Sequence, residues 1–285
     1  MKSLRLSSPA KLNLYLKILS KRPDGFHNIK TLFQRINLCD ELSFQPDDSG
    51  KIRISCDHPK VPTGSKNLVY KVARQLQELK PVSLGVKIDI QKNIPVAAGL
   101  AGGSSNAATA LIGLNRVWKL GLSRRELLNI ARKIGSDVAF FLHDTAWALG
   151  TEKGDKIRKL DIPKKLYFVL VTPCVSLYSW KVYGAFKMQL TKPGDDANIL
   201  IRNLKQGNIL EVGQLLKNDL EAAAIHLCPR LRPLKKKIQS LGITGVMVSG
   251  SGPSIFGIAE SEQKAQEARQ QLLKRYKQVF VVRTL

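Results

Sequence analysis

Acidic residues are scarce in this chain: 22 Asp and Glu stand against 46 Lys and Arg, a formal net charge of +24. Such a balance favours anionic partners by long-range attraction, whether phosphorylated small molecules, nucleic acid or a membrane surface. The basic residues are nevertheless spread along the whole chain, in short clusters such as Lys235-Lys236-Lys237. Aromatic residues make up 6% and do not interleave with basic ones in the way that stacks bases, so no nucleic-acid partner is expected. The longest apolar run, Leu166 to Val171, is far too short to span a bilayer, and no membrane partner is expected. Lys11 and Lys17 interrupt the early residues before any apolar segment builds up, so no secretory signal is expected. The four cysteines, Cys39, Cys56, Cys174 and Cys228, form no Cys-x-x-Cys pair and have no histidine at zinc-ligand spacing. That excludes a disulfide framework and a zinc knuckle and leaves reduced, structural thiols in a cytoplasmic protein. Internal repeats and low-complexity segments are absent too.

What is present is ordinary for a soluble globular protein: 285 residues, 44% hydrophobic and 24% charged, enough for one large domain or two modest ones. One stretch stands apart, Pro95-Val96-Ala97-Ala98-Gly99-Leu100-Ala101-Gly102-Gly103-Ser104-Ser105, which holds almost nothing that could pack as a large side chain. Before it, Val86, Ile88 and Ile90 alternate with polar residues, the period of a half-buried strand. After it, Ala107, Ala108, Leu111, Ile112 and Leu114 follow a 3.6-residue period, predicting a helix that begins near Ser104 or Ser105. Strand, small-residue loop and helix N-terminus together suit an anion, because the first N–H groups of a helix lack partners and its dipole is positive there. The glycines would let the backbone approach that anion closely. The spacing is neither Gly-x-Gly-x-x-Gly nor a Walker loop, and residue types by themselves fit a tight turn with alanines for close packing equally well.

Elsewhere, Leu12 to Ile18 alternates strictly, with Lys11, Asn13, Tyr15 and Lys17 on one face; an edge strand with a solvated polar face would look the same. Arg22-Pro23-Asp24-Gly25 is a turn signature, followed by Phe26 and His27. Further strands are expected at Ile29 to Phe44, Ile52 to Cys56 and Leu166 to Val171, and helices at Asn67 to Leu79, ended by Pro81, and from Arg124, capped by Ser123. Ala148 to Asp155 reads as a polar turn. The helices Ala197 to Lys205, Ile209 to Ile225 and Arg230 to Ser240 precede a strand, glycine turn and strand over 245–257. A helix at 261–276 and a strand at 278–283 follow.

The loop resembles the phosphate-binding motif of the GHMP kinase superfamily, in which it wraps the phosphates of ATP. Pro9-Ala10-Lys11-Leu12-Asn13 and Gly25-Phe26-His27 are similar to signatures of one branch, the diphosphocytidyl-methylerythritol kinases. Gly135-Ser136-Asp137-Val138 resembles the motif carrying that family's catalytic base, with Ala139 where a proline is familiar. Ser249-Gly250-Ser251-Gly252 is similar to the third family motif, and the motifs appear in family order. The resemblance implies an α/β fold in two domains, a ribosomal-S5-domain-2-like N-terminal domain over residues 1–160 and an α/β sandwich domain over 161–285. It implies ATP and Mg²⁺, with residues 95–105 on the nucleotide and the hydroxyl of Ser104 or Ser105 on the ion. Lys11 and Asp137 would be catalytic, a carboxylate accepting the hydroxyl proton beside an ammonium that orients the attacking oxygen. Asn13, Phe26, His27, Lys92 and Tyr183 would bind substrate: Phe26 and Tyr183 stack on cytosine, His27 reads its edge, and Lys92 meets phosphate. The implied reaction moves the γ-phosphate of ATP to the 2-hydroxyl of the cytidine-linked methylerythritol. The protein would be a monomer or weak homodimer. Two rivals are a homoserine or mevalonate-type kinase, with no need for Phe26 and His27, and a nucleic-acid-binding protein using the charge.

Overall fold

A computed structural model of the chain describes residues 3–79, 85–188 and 196–285. The chain forms two compact units, neither of them one consecutive stretch. The first comprises Met1–Ala10, Leu38–Val96 and Ala101–Asp144, the second Lys11–Asn37, Ala97–Leu100 and Thr145–Leu285. Two long strands, β1 (Leu4–Lys21) and β2 (His27–Asp47), supply residues to both.

In the first unit, β3 (Ile52–Cys56) precedes α1 (Leu68–Leu79), β4 (Gly85–Gln91) and α2 (Gly102–Val117). The Asn67 side chain accepts the N–H of Val69 at 2.8 Å at the start of α1. The stripe Val69, Val72, Ala73 and Leu76 of that helix is buried. Pro81, expected to end this helix, lies outside the described residues. β4 pairs with β3 in parallel and with the second half of β2 antiparallel, from Glu41↔Gln91 to Asp47↔Gly85. α2 begins earlier than expected, at Gly102, because Ala101 is left-handed (φ 55°) and turns the chain into the helix without a side-chain cap. Its glycine at 113 has a packing reason: a Cβ there would come within 2.6 Å of the Phe44 ring. α3 (Arg124–Ile134) opens with a complete capping box between Ser123 and Glu126, a device worth about 1 kcal/mol. α4 (Val138–Leu142) completes this unit.

The second unit contains the hairpin of β5 (Trp147–Thr151) and β6 (Lys156–Leu160). Ala148 to Thr151, expected in a turn, are strand and pair with β2 from Thr31↔Gly150 to Gln34↔Trp147. Gly150 makes this pairing possible, since a Cβ there would meet the Phe33 ring at 2.7 Å. Next come β7 (Tyr167–Val171), α5 (Ser179–Ala185) and α6 (Asp196–Gln206). The expected helix over 209–225 is broken into α7 (Ile209–Leu215), a two-residue strand β8 (Lys217–Asn218) and α8 (Glu221–Leu227). Two side chains cause the break by satisfying backbone groups that a helix would not reach. Asn218 accepts from Leu220 N at 3.0 Å and Asp219 accepts from Ile18 N at 2.8 Å, while Lys217 and Asn218 pair in parallel with Tyr15 and Leu16.

α9 (Leu231–Gln239), β9 (Thr244–Val248), β10 (Ile255–Ala259), α10 (Glu262–Leu273) and β11 (Val279–Arg283) follow. An antiparallel sheet in the order β11-β7-β10-β9 packs with the helices around Val169, Val171, Leu231, Val248 and Leu272, and Leu16 and Ile18 of β1 join that core. Burying each such side chain contributes about 1.5–3 kcal/mol relative to leaving it in water. All four cysteines are free thiols; burial, then Asp40 and Glu41, push the Cys39 thiol up. Among the described residues, no helix is long and apolar enough to cross a membrane.

Candidate active site

The small-residue loop leaves β4 and enters α2 through three left-handed residues at alternate positions, Ala97 (φ 54°), Gly99 (φ 75°) and Ala101 (φ 55°). Alternation of this kind turns successive N–H groups inward and makes an anion-binding concavity. Each alanine costs roughly 1–2 kcal/mol in that conformation, and strain of this kind gathers at functional sites. The three glycines differ in purpose. Gly99 carries the positive φ, and a Cβ there would fall 2.1 Å from the Ser249 carbonyl oxygen. Gly102 is helical and lets Ile94 and the Lys92 ammonium approach, whereas a Cβ at Gly103 would meet nothing within 4 Å. With Ala101 at the N-cap, no side chain makes a capping bond to α2, which leaves its first-turn N–H groups for an anion.

Within the second unit, the middle of the loop is tied to β1 and to the turn between β9 and β10. Ser254 N donates to Ala98 O at 3.3 Å and Lys11 N to Leu100 O at 3.1 Å. The Gly99 carbonyl accepts from Ser249 Oγ at 3.1 Å and from Lys11 Nζ at 3.4 Å. The Lys11 ammonium also donates to Asn13 Oδ1 and lies 5.6 Å from the centroid of the Phe33 ring. Asn13 Nδ2 donates to Thr31 Oγ1 at 2.8 Å, and that hydroxyl donates to Tyr15 O at 2.7 Å. Both faces of β1 are buried here: Lys11 is 4% exposed and Leu12 not at all. A solvated edge strand is therefore excluded. The β9–β10 turn has φ 54° at Gly250 and 73° at Gly252. It is braced by Asn218, whose Nδ2 donates to the carbonyls of Val248 and Gly250 at 2.8 Å each.

The β1–β2 connection presents Phe26 and His27. Gly25 (φ 82°) closes the turn, Arg22 N donates to Phe26 O at 2.8 Å, and the Asp24 carboxylate accepts from Phe26 N at 3.2 Å. Partial burial pushes the Asp24 carboxyl up, but the Phe26 N–H and the Arg22 guanidinium outweigh it and hold the group below its ordinary value. Phe26 is 53% exposed, with the Lys153 ammonium 5.1 Å from its ring centroid. The His27 and Tyr183 rings stack at 5.2 Å, 28° between planes. Of Tyr178, Trp180 and Tyr183, the last is thus the one brought to His27; Tyr178 and Trp180 are exposed. Burial, then the Lys21 charge, hold the His27 imidazole below its usual pKa, favouring the neutral ring.

In the first unit, Lys92 is not a surface residue: its side chain is 4% exposed and pairs with the fully buried carboxylate of Asp40. Lys92 Nζ also donates to Asn106 Oδ1 at 3.3 Å, and Asn106 Nδ2 donates to Asp40 Oδ2 at 2.9 Å. Ser105 is buried and its Oγ accepts from Ser8 Oγ at 2.8 Å, while Ser104 is half-exposed. Asp137 occupies the N-cap position of α4, yet its side chain makes no capping bond there. Asp40 and Thr31 escape a reading by motif, because each acts through partners far along the chain.

Two family matches cover separate parts of the chain, the GHMP kinases N terminal domain at residues 67–145 and the GHMP kinases C terminal domain at 200–278. A 4-diphosphocytidyl-2-C-methyl-D-erythritol kinase from Syntrophus aciditrophicus is 40% identical over 267 residues, 93% of either chain. One from Citrifermentans bemidjiense is 40% identical over 274 residues, 96% of either chain. A crystal structure of 4-(cytidine 5'-diphospho)-2C-methyl-D-erythritol kinase matches with a TM-score of 0.83 at 31% identity, covering 98% of both chains. The homoserine kinase of Cytophaga hutchinsonii shares the fold, with a TM-score of 0.79 at 21% identity, covering 100% of this chain and 95% of its own. By fold and by sequence, the chain belongs to the 4-diphosphocytidyl-2-C-methyl-D-erythritol kinase family of the GHMP kinases.

Proposed function

We propose that the protein transfers the γ-phosphate of ATP to the 2-hydroxyl of 4-diphosphocytidyl-2-C-methyl-D-erythritol, giving the 2-phosphate and ADP, in the methylerythritol phosphate route to isoprenoid precursors. The observation that carries this reading is the Lys11 ammonium on the Gly99 carbonyl, which puts a buried cation at the middle of the phosphate loop. The N–H groups of residues 97–104 receive the phosphates, that of Ser105 being bonded to Ala101 O. Lys11 neutralises charge that develops on the transferring group, and Asn13, through its bonds to Lys11 and Thr31, fixes the ammonium. Asp137 accepts the proton as the hydroxyl oxygen bonds to phosphorus and the bond to the ADP oxygen breaks.

Magnesium takes hard oxygen ligands and is held by one or two protein groups together with nucleotide phosphates. The half-exposed hydroxyl of Ser104 on α2 fits that donor set, whereas Ser105 faces Ser8. When bound, the ion neutralises phosphate charge. On the acceptor side, Phe26 and Tyr183 supply stacking faces and neutral His27 reads the cytosine edge. Lys92 serves the phosphates from beneath the loop. The protein works in the cytoplasm as a monomer or weak homodimer, with no nucleic-acid partner.

The test is ADP release with Mg-ATP and the cytidine-linked acceptor, run beside Asp137→Ala. Turnover that collapses in the variant is expected. Turnover with homoserine or phosphomevalonate instead would discard the roles of Phe26 and His27, and none with any acceptor would shift weight to a binding protein.

A further inference from the structure

The carboxylate of Asp40 takes no part in the chemistry above, yet it is fully buried beside the phosphate loop. A carboxylate offers about four lone-pair sites, and four donors meet them. Oδ1 accepts from Asn93 N at 2.9 Å and Ile94 N at 2.8 Å, where the chain enters the loop. Oδ2 accepts from Lys92 Nζ and, at 2.9 Å, from Asn106 Nδ2 in the opening turns of α2, where the chain leaves it.

The rest of the cluster closes on itself. Asn106 Nδ2 donates also to Ser8 Oγ at 2.9 Å, Ser8 donates to Ser105 at 2.8 Å, and Lys92 reaches Asn106 Oδ1 at 3.3 Å. Lys92 underlies the helix start, since a Cβ at Gly102 would come within 3.2 Å of its Nζ. Buried ion pairs are poor sources of net stability compared with apolar packing of the same volume. What this one does is tie the two ends of one loop to a single point.

We infer that Asp40 is a positioning residue: with Lys92 and Asn106 it fixes the span between the entry and the exit of the loop. The first-turn N–H groups of α2 are thereby set for the nucleotide phosphates before binding, so little ordering remains when the nucleotide arrives. The inference rests on the loop being the nucleotide site and is independent of which alcohol is phosphorylated. A purely structural role for Asp40 would lower stability without a separate effect on nucleotide affinity.

The test measures Kd for Mg-ADP by calorimetry beside Tm. The double variant Asp40→Asn with Lys92→Met removes both charges at nearly constant volume. Asn106→Ala cuts the exit link and leaves the ion pair in place. Val72→Ala, in the buried stripe of α1, supplies a loss of stability that leaves the clamp intact. A rise in Kd of about tenfold is expected for the first two, the size of one lost hydrogen bond to a charged group, with Val72→Ala within about twofold of the parent at a matched loss of Tm. A parent-like Kd in Asn106→Ala, or an equal rise in Val72→Ala, would overturn the inference. Asn106→Ala decides if the double variant does not fold. A parent protein that does not bind Mg-ADP would remove the nucleotide reading and this inference with it, whereas binding without turnover of the cytidine-linked acceptor would unseat the acceptor and leave the clamp standing.

Discussion

Ser249 and Gly99 stand 150 residues apart in the chain, yet the Ser249 hydroxyl donates to the Gly99 carbonyl at 3.1 Å, and the Lys11 ammonium reaches the same oxygen at 3.4 Å. One backbone carbonyl thus joins the third family motif, the phosphate loop and the lysine of β1.

Removing the hydroxyl with Ser249→Ala is expected to lower stability by about 1 kcal/mol and to lower kcat by about fivefold as Lys11 loses its fixed seat. Gly99→Ala is expected to be far worse, because its Cβ would meet the Ser249 carbonyl at 2.1 Å in a left-handed conformation. Thermal unfolding with steady-state kinetics checks both; a Gly99→Ala enzyme of parent stability and rate would contradict the packing described.

For the proposed base, Asp137→Asn is expected to lower kcat by about 10²–10⁴-fold, the usual range for general acid–base catalysis. KM for ATP should move little. Lys11→Met should show the same pattern. A variant that loses nucleotide binding in proportion to rate would assign these residues to binding.

Phe26 is 53% exposed at the tip of the β1–β2 turn, so truncating it costs the fold little. Phe26→Ala is expected to raise KM for the cytidine acceptor by about tenfold or more, in line with about 1–3 kcal/mol for stacking on a base, while Phe26→Tyr keeps the stacking face. An unchanged acceptor KM in Phe26→Ala would place cytosine elsewhere.

The depressed pKa of His27, caused by burial and then by Lys21, means that the folded chain holds this proton less readily than the unfolded chain does. Its contribution to stability is present in full above the unfolded value, near 6.5, and is lost as pH falls through the lower folded value. Tm should therefore decline from about pH 7 to about pH 5 more steeply in the parent than in His27→Asn. Over the same interval KM for the acceptor should rise in the parent as the ring becomes charged. An acceptor KM that is flat across this range would remove the neutral imidazole from recognition.

Much of the site is legible in local pattern. The alternation of Leu12 to Ile18 marks β1, and the run of small residues marks the loop, because both are properties of neighbours in sequence. Legibility ends where a residue's role is set by partners far away. Alternation cannot show that the polar face of β1 is as buried as the apolar one. Composition cannot show that Ala97 and Ala101, not only Gly99, take the left-handed positions, since tertiary contacts hold them there. Within Leu38-Cys39-Asp40-Glu41-Leu42, alternation puts Asp40 on the face of buried Leu42, but it cannot show which donors meet the carboxylate there. The segment 209–225 keeps helical spacing through its break, which is made by pairing with Tyr15 and Leu16.

The discontinuity of the two units bears on how the chain comes off the ribosome. The strand that carries Lys11 is synthesised early, but Leu16 and Ile18 on it pack with Val169, Val248 and Leu272, which emerge much later. Until then those residues have no core to enter, and contacts so distant in sequence form slowly and leave apolar edges open to aggregation. A nascent chain arrested after α4 would hold every strand and helix of the first unit while Leu16 and Ile18 of β1 wait for the partners that cover them. Chaperone demand during translation should therefore be concentrated on the interval between α4 and β11.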